Sequence, residues 1–191
     1  MIQSGRYYEI DSGLQHIARN IRQRRVYVAD KVSLFALIKK IFVLVIVLFI
    51  IFNLIFGVTP AKGDDMQPKI AAGDVLLFYR LGDDYLRNDV VLIHRDDVQY
   101  VGRVIGMPGD TIEISSARHV VIDGAEVIET NIFFETQAFS ENVQYPLTLA
   151  PDEFFLLGDN RESAKDSRYF GPIKGDEIEG KIITTLKRND I

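Results

Sequence analysis

The chain of 191 residues contains no cysteine and only three histidines, His16, His94 and His119. The missing thiols exclude cysteine catalysis, thiolate zinc sites and disulfide bonds. The histidines are scattered without ligand spacing, so we expect no metal site and no cofactor. Basic residues are in the minority, 22 against 27 acidic ones, which argues against a nucleic-acid-binding protein. An apolar fraction of 47% excludes a disordered chain.

Charge is distributed unevenly along the chain. Residues 1–40 contain eight basic and three acidic side chains, whereas residues 59–191 contain 14 basic and 24 acidic ones. Between them, residues 41–58 carry no charge and are apolar apart from Asn53 and Gly57. A helix of this length spans roughly 27 Å at about 1.5 Å per residue, close to the hydrocarbon thickness of a bilayer. The pattern predicts a single-pass transmembrane signal-anchor at residues 41–58 that is not cleaved.

The basic residues before the apolar run predict its direction. The positive-inside rule keeps Lys39, Lys40 and the rest of a tail at residues 1–40 in the cytoplasm. The domain at residues 59–191 is then expected outside the cell membrane. Within the tail, residues 14–28 have two interpretations: an arginine-rich amphipathic helix on anionic lipid, or a solvated arm that only orients the anchor.

Residues after Pro60 predict a mainly β extracytoplasmic domain. Short runs rich in branched and aromatic residues alternate with turn signals, and no segment shows a sustained helical period. The predicted strands are residues 75–79, 90–94, 100–105, 111–114, 119–122, 125–128, 153–157 and 181–186. Asp123-Gly124 predicts a tight hairpin turn, Gly109 predicts a turn before Asp110, and residues 129–151 are expected to form an insertion loop. The fold class is therefore mainly β with antiparallel sheets.

Three motif boxes follow the apolar run. They read G-D-D-M-Q-P-x-I-x-x-G-D at residues 63–74, G-R-V-I-G-M-P-G-D at 102–110 and G-D-N-R-E-S-A-K-D-S-R-Y-F-G at 158–171. In order and spacing they resemble the boxes of type I signal peptidases (peptidase S26), the membrane serine proteases that release secreted proteins. The resemblance extends to I-D-G at 122–124 and G-K at 180–181. It implies a signal-peptidase-type antiparallel β domain behind one N-terminal transmembrane helix.

The resemblance also marks the positions at which the family carries its catalytic side chains. The serine nucleophile, the lysine base and the serine that orients this lysine fall on Asp65, Gly102 and Ala164. Glycine has no proton acceptor, and a carboxylate that attacks an amide gives only a high-energy anhydride. The carboxylate charge would also oppose the oxyanion that must form. We therefore expect no catalytic residue and a non-catalytic protein, with an active type I signal peptidase as the alternative.

The other box residues keep roles that the resemblance implies. The substrate-binding set is Asp64, Asp65, Met66, Pro68, Gly102 and Arg103. The structural set is Asp159, Asn160, Arg161, Asp166, Ser167 and Arg168. Met66 and Pro68 are expected to shape the floor of the cleft, and Asp166 and Arg168 to form an ion pair behind it.

Replacement chemistries have weaker support. Asp64 and Asp65 are chain neighbours, and neighbours on an extended strand point to opposite faces. An aspartic dyad instead needs two carboxylates about 3 Å apart. Ser163 and Lys165 form a displaced dyad or, as the simpler interpretation, belong to a solvated loop. In an apolar cleft without a lysine, we expect the pKa of Asp65 to be raised.

A cleft without catalysis can still bind a partner. A signal-peptidase cleft holds its substrate as an extended strand through backbone hydrogen bonds to a sheet edge. The sequence resembles signal-peptidase-like accessory proteins of Gram-positive pilus operons, some of which lack the catalytic pair. This resemblance implies a membrane-anchored accessory factor that acts on pilin subunits or their sortase at the cell surface. The lipid bilayer is the other expected partner, and a scaffold with a collapsed cleft is a third hypothesis.

Overall fold

The computed structural model of the protein describes residue 19 and residues 34–129, 132, 134–139 and 143–188. Apart from Arg19, the tail before residue 34, including the two interpretations of residues 14–28, lies outside the described residues. The chain divides into two compact units, Met1–Phe52 and Asn53–Ile191.

A long apolar helix, α1, runs from Leu34 to Ile55. Its 22 residues are long and apolar enough to cross a membrane. The helix starts earlier than the predicted anchor at residues 41–58, so Lys39 and Lys40 lie within it, where long lysine stems can carry their ammonium groups towards water. It also ends earlier than predicted, because residues 56–58 belong to a strand that is hydrogen-bonded to a neighbouring strand in a sheet.

In the described residues after α1, eleven strands form two antiparallel sheets. In chain order they are β1 Phe56–Pro60, β2 Val75–Tyr79, β3 Val90–Arg95, β4 Val98–Gly106, β5 Thr111–Ile114, β6 Val120–Ile122, β7 Ala125–Glu126, β8 Leu147–Thr148, β9 Glu153–Leu157, β10 Ile173–Lys174 and β11 Ile178–Leu186. The large sheet has the order β1-β2-β11-β3-β4-β9-β10, and the small one β7-β6-β5-β8. A short helix, α2 (Ser167–Phe170), and a 3₁₀ turn (Gly175–Glu177) precede the last strand. The predicted mainly β fold class is confirmed.

The predicted turns are present in the small sheet and before it. Asp123 and Gly124 have φ angles of 51° and 80°, the left-handed pair that a tight hairpin requires, and they join β6 to β7. Gly109 has φ 90° in the turn before Asp110. The stretch 129–151 was expected to be a loop throughout, but it contains β8, which pairs with β5. A strand of two residues is too short to show an alternating pattern in the sequence, so only the pairing with β5 defines β8.

Strands β4 and β9 lie between two apolar clusters, so that side chains on both of their faces are buried. Successive side chains of a strand point to opposite faces. Val104 and Leu156 belong to one apolar cluster with Val91, Ile93 and Ile173. The alternating residues of the same two strands belong to a second cluster, which joins the two sheets: Ile105, Phe155 and Leu157, with Ile112 and Val120. Strand β4 contains the first half of the second motif box, and β9 leads directly into the third.

Candidate functional site

Gly158 lies where the three motif boxes meet. A Cβ atom placed on this glycine would stand 2.3 Å from the Ala164 Cβ and 2.6 Å from the Asp65 carbonyl oxygen. Only a residue without a side chain allows both approaches. Gly102 is close by, since its own Cβ position lies 3.8 Å from the carbonyl oxygen of Leu157. The fold therefore brings Asp65, Gly102 and Ala164 to one place.

The Asp65 carboxylate is half-buried beside the third box. Its Oδ1 atom accepts a hydrogen bond from the Lys165 backbone N–H at 3.2 Å. Burial raises the pKa of Asp65, the Lys165 amide lowers it, and the negative charges of Asp166 and Asp64 raise it again. The net shift is upward, as expected from the sequence. Among the described residues, no salt bridge reaches Asp65.

The neighbouring carboxylate of Asp64 has separate contacts. Its Oδ1 atom accepts the Ala72 backbone N–H at 3.0 Å, and the Asn160 side-chain amide donates to its carbonyl oxygen at 3.3 Å. Asp64 is exposed, whereas Asp65 is not. The two carboxylates therefore occupy different environments and do not form the geometry of an aspartic dyad.

Gly102 and Ala164, the other two positions at which the resemblance implies a catalytic side chain, are buried. Gly102 lies in β4 opposite Val91, and a Cβ atom there would be 3.2 Å from the Leu156 Cβ. Ala164 is 2% exposed. The residues of the displaced-dyad interpretation, Ser163 and Lys165, are both exposed. Within the described part of the chain no hydrogen bond joins their side chains, and the Lys165 ammonium lies 5.9 Å from the centre of a ring, that of Tyr100.

Buried charge pairs brace the third box. Arg168 donates to Asp166 through Nε–Oδ1 and Nη2–Oδ2, both at 2.8 Å, which confirms the predicted ion pair. The Asp166 Oδ2 atom also accepts the Gly158 backbone N–H at 3.0 Å, and Ser167 Oγ accepts the Leu156 N–H at 3.0 Å. Because these groups are buried and mutually hydrogen-bonded, they fix the loop around Gly158.

Arg161 connects the third box to the insertion. Its side chain is 1% exposed, its Nε donates to the Gly158 carbonyl at 2.9 Å, and its Nη1 donates to Glu129 Oε2 at 2.9 Å. A second bond from Nη2 makes the contact with Glu129 bidentate, and Nη1 also reaches the Thr136 hydroxyl. No local pattern in the sequence identifies Glu129 or Thr136 as partners of this arginine.

Arg103, which the resemblance assigned to substrate binding, is engaged in a structural ion pair. Its Nε atom donates to Asp159 Oδ1 at 2.7 Å, and Nη1 donates to the Asn88 carbonyl at 2.8 Å. Its side chain is 16% exposed and that of Asp159 3%. The guanidinium therefore holds the end of β4 against the third box.

Met66 and Pro68, the two residues predicted to shape the cleft floor, differ in burial. Met66 is buried in the core with Ile70 and Leu76, and its sulfur accepts the Asp159 backbone N–H at 3.4 Å. Pro68 is exposed. Met66 therefore supports the Asp65 loop from below, while Pro68 lies on the surface because the chain turns outward between two core positions.

Asp74 fastens the end of the first box to the C-terminal segment. Its carboxylate accepts the backbone N–H groups of Ala71 at 3.0 Å and Arg188 at 3.1 Å, and the Lys187 ammonium at 3.0 Å. These donors lower the pKa of Asp74 to about 2. The sequence marks Asp74 only as the last residue of a box, because two of its three donors, Lys187 and Arg188, lie at the far end of the chain.

One edge of β4 is open beside Asp65. Strand β9 pairs only with residues 103–106 of β4, whereas β3 runs along residues 98–103 on the other side. Backbone groups alternate in direction along a strand, and the Val104 amide donates towards Asp89 at the β3 side. The Val101 amide and carbonyl therefore point to the open side. In the described strands nothing pairs with them, which is the geometry that strand addition uses.

Comparisons with known proteins agree with the motif boxes. A family model described as signal peptidase, peptidase S26, matches residues 34–186. Signal peptidase I S of Bacillus subtilis is 30% identical over 151 residues, which cover 74% of this chain and 82% of that protein. Signal peptidase I of Bacillus licheniformis is 32% identical over 150 residues, covering 72% and 80%. A crystal structure of a signal peptidase I from Enterococcus faecalis is 30% identical, with a TM-score of 0.46 and coverage of 53% and 97%.

The matched region begins with α1 and ends with β11, so it contains the apolar helix, both sheets and all three boxes. The relatives are similar over most of their own length as well as most of this chain. An N-terminal apolar helix and signal peptidase I relatives together indicate a membrane-anchored protein. The chain belongs to the signal peptidase I family, peptidase S26.

Proposed function

We propose that this protein is a non-catalytic member of its family, which holds an extended segment of a secreted protein and serves as an accessory factor in pilus assembly. The observation that carries the proposal is the meeting of Asp65, Gly102 and Ala164 around Gly158. The resemblance implies a serine, a lysine and a second serine at these three positions. On this proposal, the family's site is present but has none of the three side chains that the reaction needs.

Chemistry at the site supports the loss of catalysis. Gly102 supplies no base, and burial raises the pKa of the Asp65 carboxyl. The larger obstacle is the product, because attack by a carboxylate on an amide gives an anhydride. Loss of nucleophile and base in a serine protease costs on the order of 10⁶ in rate.

Two features support the proposal that the protein keeps a binding groove, by which we mean the open side of β4 next to the box loops. The ion pairs of Asp166 and Arg103 keep the box loops in place, and the open side of β4 offers unpaired backbone groups at Val101. An extended segment added there would gain main-chain hydrogen bonds. Pilin subunits or their sortase are the proposed partners, on the strength of the resemblance to pilus-operon accessory proteins.

The proposed location follows from the charge pattern. The basic tail would stay in the cytoplasm, α1 would cross the bilayer, and the β domain would lie outside the cell membrane. Secreted subunits emerge on that side, so the groove would meet them as they leave the membrane.

Peptide-bond cleavage by the purified full-length protein tests the loss of catalysis. We expect a signal-peptide-bearing substrate to yield no more product than with a boiled sample. The combined variant Asp65→Ser, Gly102→Lys and Ala164→Ser should gain measurable cleavage, with the same variant lacking Gly102→Lys as its control. Cleavage by the unaltered protein would instead establish the alternative, an active type I signal peptidase.

A matched pair of proline variants tests the groove in cells that polymerise pilin. Val101→Pro removes the amide on the open side of β4 and leaves the β3 ladder intact, which edge strands tolerate. We expect it to abolish the high-molecular-weight pilin ladder on immunoblots while the protein stays folded and at normal abundance. Exposed Leu81→Pro, outside any strand and with no hydrogen bond from its amide among the described residues, is the control for a new proline. Normal ladders with Val101→Pro would favour the scaffold hypothesis, in which the partner binds elsewhere.

A further inference from the structure

We infer that the segment held in the groove presents a basic side chain to Asp65, so that the site selects partners carrying a lysine or arginine. The inference rests on the proposed function, in which an extended segment lies along the open edge of β4. It adds the chemical class of the residue that enters the site. Three features of the site support it: the unused bonding capacity of Asp65, the sign of the charges around it, and the missing side chain at Gly102.

The Asp65 carboxylate has unused acceptor capacity. An ionised carboxylate can accept about four hydrogen bonds. Among the described residues, its donors are the Lys165 backbone N–H, which uses Oδ1, and its own backbone N–H. The residue is half-buried, so water satisfies the carboxylate only in part. Charged groups in such positions are usually paired, and Asp65 is accessible enough for a partner to supply the pair.

The charges that act on Asp65 are negative. Asp166 and Asp64 both disfavour its ionised form, and burial adds to their effect. Lys165 is next to the site, but its ammonium lies over the Tyr100 ring. The guanidinium of Arg168 is bound bidentately by Asp166. A cation that enters here would meet an attractive field, and an acidic side chain would be repelled.

Strand β4 provides no free cation at the site, because position 102 is glycine and Arg103 is ion-paired with Asp159. Gly102 ends the open stretch of the strand, on the same face as Tyr100, and carries no side chain. The family resemblance implies a lysine at this position. With glycine in its place, β4 puts no ammonium beside Asp65, and the Lys165 ammonium lies over the Tyr100 ring, so a bound segment can supply the cation.

Binding of short acetylated peptides to the full-length protein in detergent tests the inference. The peptides consist of alanine, serine and threonine around one central residue, which is lysine, norleucine or glutamate. Fluorescence anisotropy should give a Kd for the lysine peptide about tenfold lower than for the norleucine peptide, equivalent to about 1.4 kcal/mol. The glutamate peptide should bind more weakly than either.

Two isosteric variants locate the effect. Asp65→Asn should remove the preference for lysine, because the amide can still accept the Lys165 N–H but has no charge. Asp84→Asn is the matched control, since it neutralises an exposed acid outside the three boxes and should keep the preference. In addition, carbodiimide treatment should link the peptide lysine to Asp65, as read by mass spectrometry of the digest.

The outcomes separate the inference from the proposed function. Equal Kd values for the lysine and norleucine peptides, with binding lost in Val101→Pro, would leave the groove in place and overturn the cationic partner. A lysine preference that survives Asp65→Asn would overturn it as well. If no peptide binds the unaltered protein, the groove and the cationic partner fail together.

Discussion

The site has three inner positions, Asp65, Gly102 and Ala164, and a surrounding shell of buried ion pairs. These two regions have opposite electrostatic character. In the shell, Arg168 and Asp166 form a buried, bidentate and fully hydrogen-bonded pair. At the inner position, the Asp65 carboxylate is half-buried with a single backbone donor from a distant residue and no ion pair among the described residues. The shell positions keep the residue types that the resemblance implies, whereas the three inner positions do not. The framework that shapes a site and the side chains that react in it are thus physically separable.

Breaking the shell should have the largest effect on stability. Asp166→Ala leaves the guanidinium of Arg168, which is 0% exposed, without its counter-ion. We expect a loss of about 3–5 kcal/mol in the free energy of unfolding, measured by urea titration followed by circular dichroism. Asp84→Ala, at an exposed acid, is the control and should change it by less than about 0.5 kcal/mol.

The paired substitution Asp166→Asn with Arg168→Met sharpens this prediction. It removes both charges, so it should cost less than Asp166→Ala alone. If the single and paired variants are equally destabilised, the loss comes from packing and the electrostatic account of the shell is incorrect.

Crowding the junction should have an intermediate effect. Gly158→Ala places a methyl group 2.3 Å from the Ala164 Cβ and 2.6 Å from the Asp65 carbonyl, which forces the boxes apart. Overpacking of this kind costs about 1–3 kcal/mol in unfolding free energy. Gly102→Ala meets only the Leu156 Cβ at 3.2 Å, so thermal or urea unfolding should show a smaller change. The opposite ranking would contradict the convergence of the boxes on Gly158.

A change of pH should have the smallest effect on stability. The effect should have opposite signs for the carboxylates of Asp65 and Asp74. The pKa of Asp74 is lowered to about 2, so its stabilisation is present above pH 4 and is lost as the pH falls towards 2. The pKa of Asp65 is raised, so its contribution is favourable below the ordinary aspartate pKa and is lost as the pH rises through the shifted value.

Urea unfolding of Asp65→Asn and Asp74→Asn at pH 7 and at lower pH checks these signs. Asp65→Asn should make the protein more stable at pH 7 and leave it unchanged near pH 3. Asp74→Asn should make it less stable at pH 7, with the difference shrinking below pH 4. A destabilising Asp65→Asn at pH 7 would mean that the carboxylate has a counter-ion after all.

Three strands with local signals were predicted residue for residue and five others with shifted ends, whereas strands defined by distant partners were not predicted. Residues 75–79, 111–114 and 153–157 combine a strand period with turn residues at their ends, and they match β2, β5 and β9. In contrast, β1 continues the apolar composition of the preceding helix. Its separate identity comes from pairing with β2, about which its own sequence carries no signal.

The candidate site shows the same division. The ion pair of Asp166 and Arg168 was predictable because the two residues are neighbours in one box. The contact of Arg161 with Glu129 was not, because it joins the box to an insertion with no regular pattern. The engagement of Arg103 by Asp159 likewise depends on the pairing of β4 with β9.

By itself, the sequence determined the side-chain chemistry: an apolar helix, a carboxylate at residue 65, no side chain at residue 102 and a methyl group at residue 164. These are properties of single residues and do not depend on what surrounds them. Only the tertiary structure decided that the three positions meet at Gly158, that Asp65 is half-buried, and that no ion pair to Asp65 and no strand on one side of β4 occur among the described residues. Burial, charge pairing and free strand edges arise from contacts between residues far apart in the chain, so they appear only when the sheets have formed.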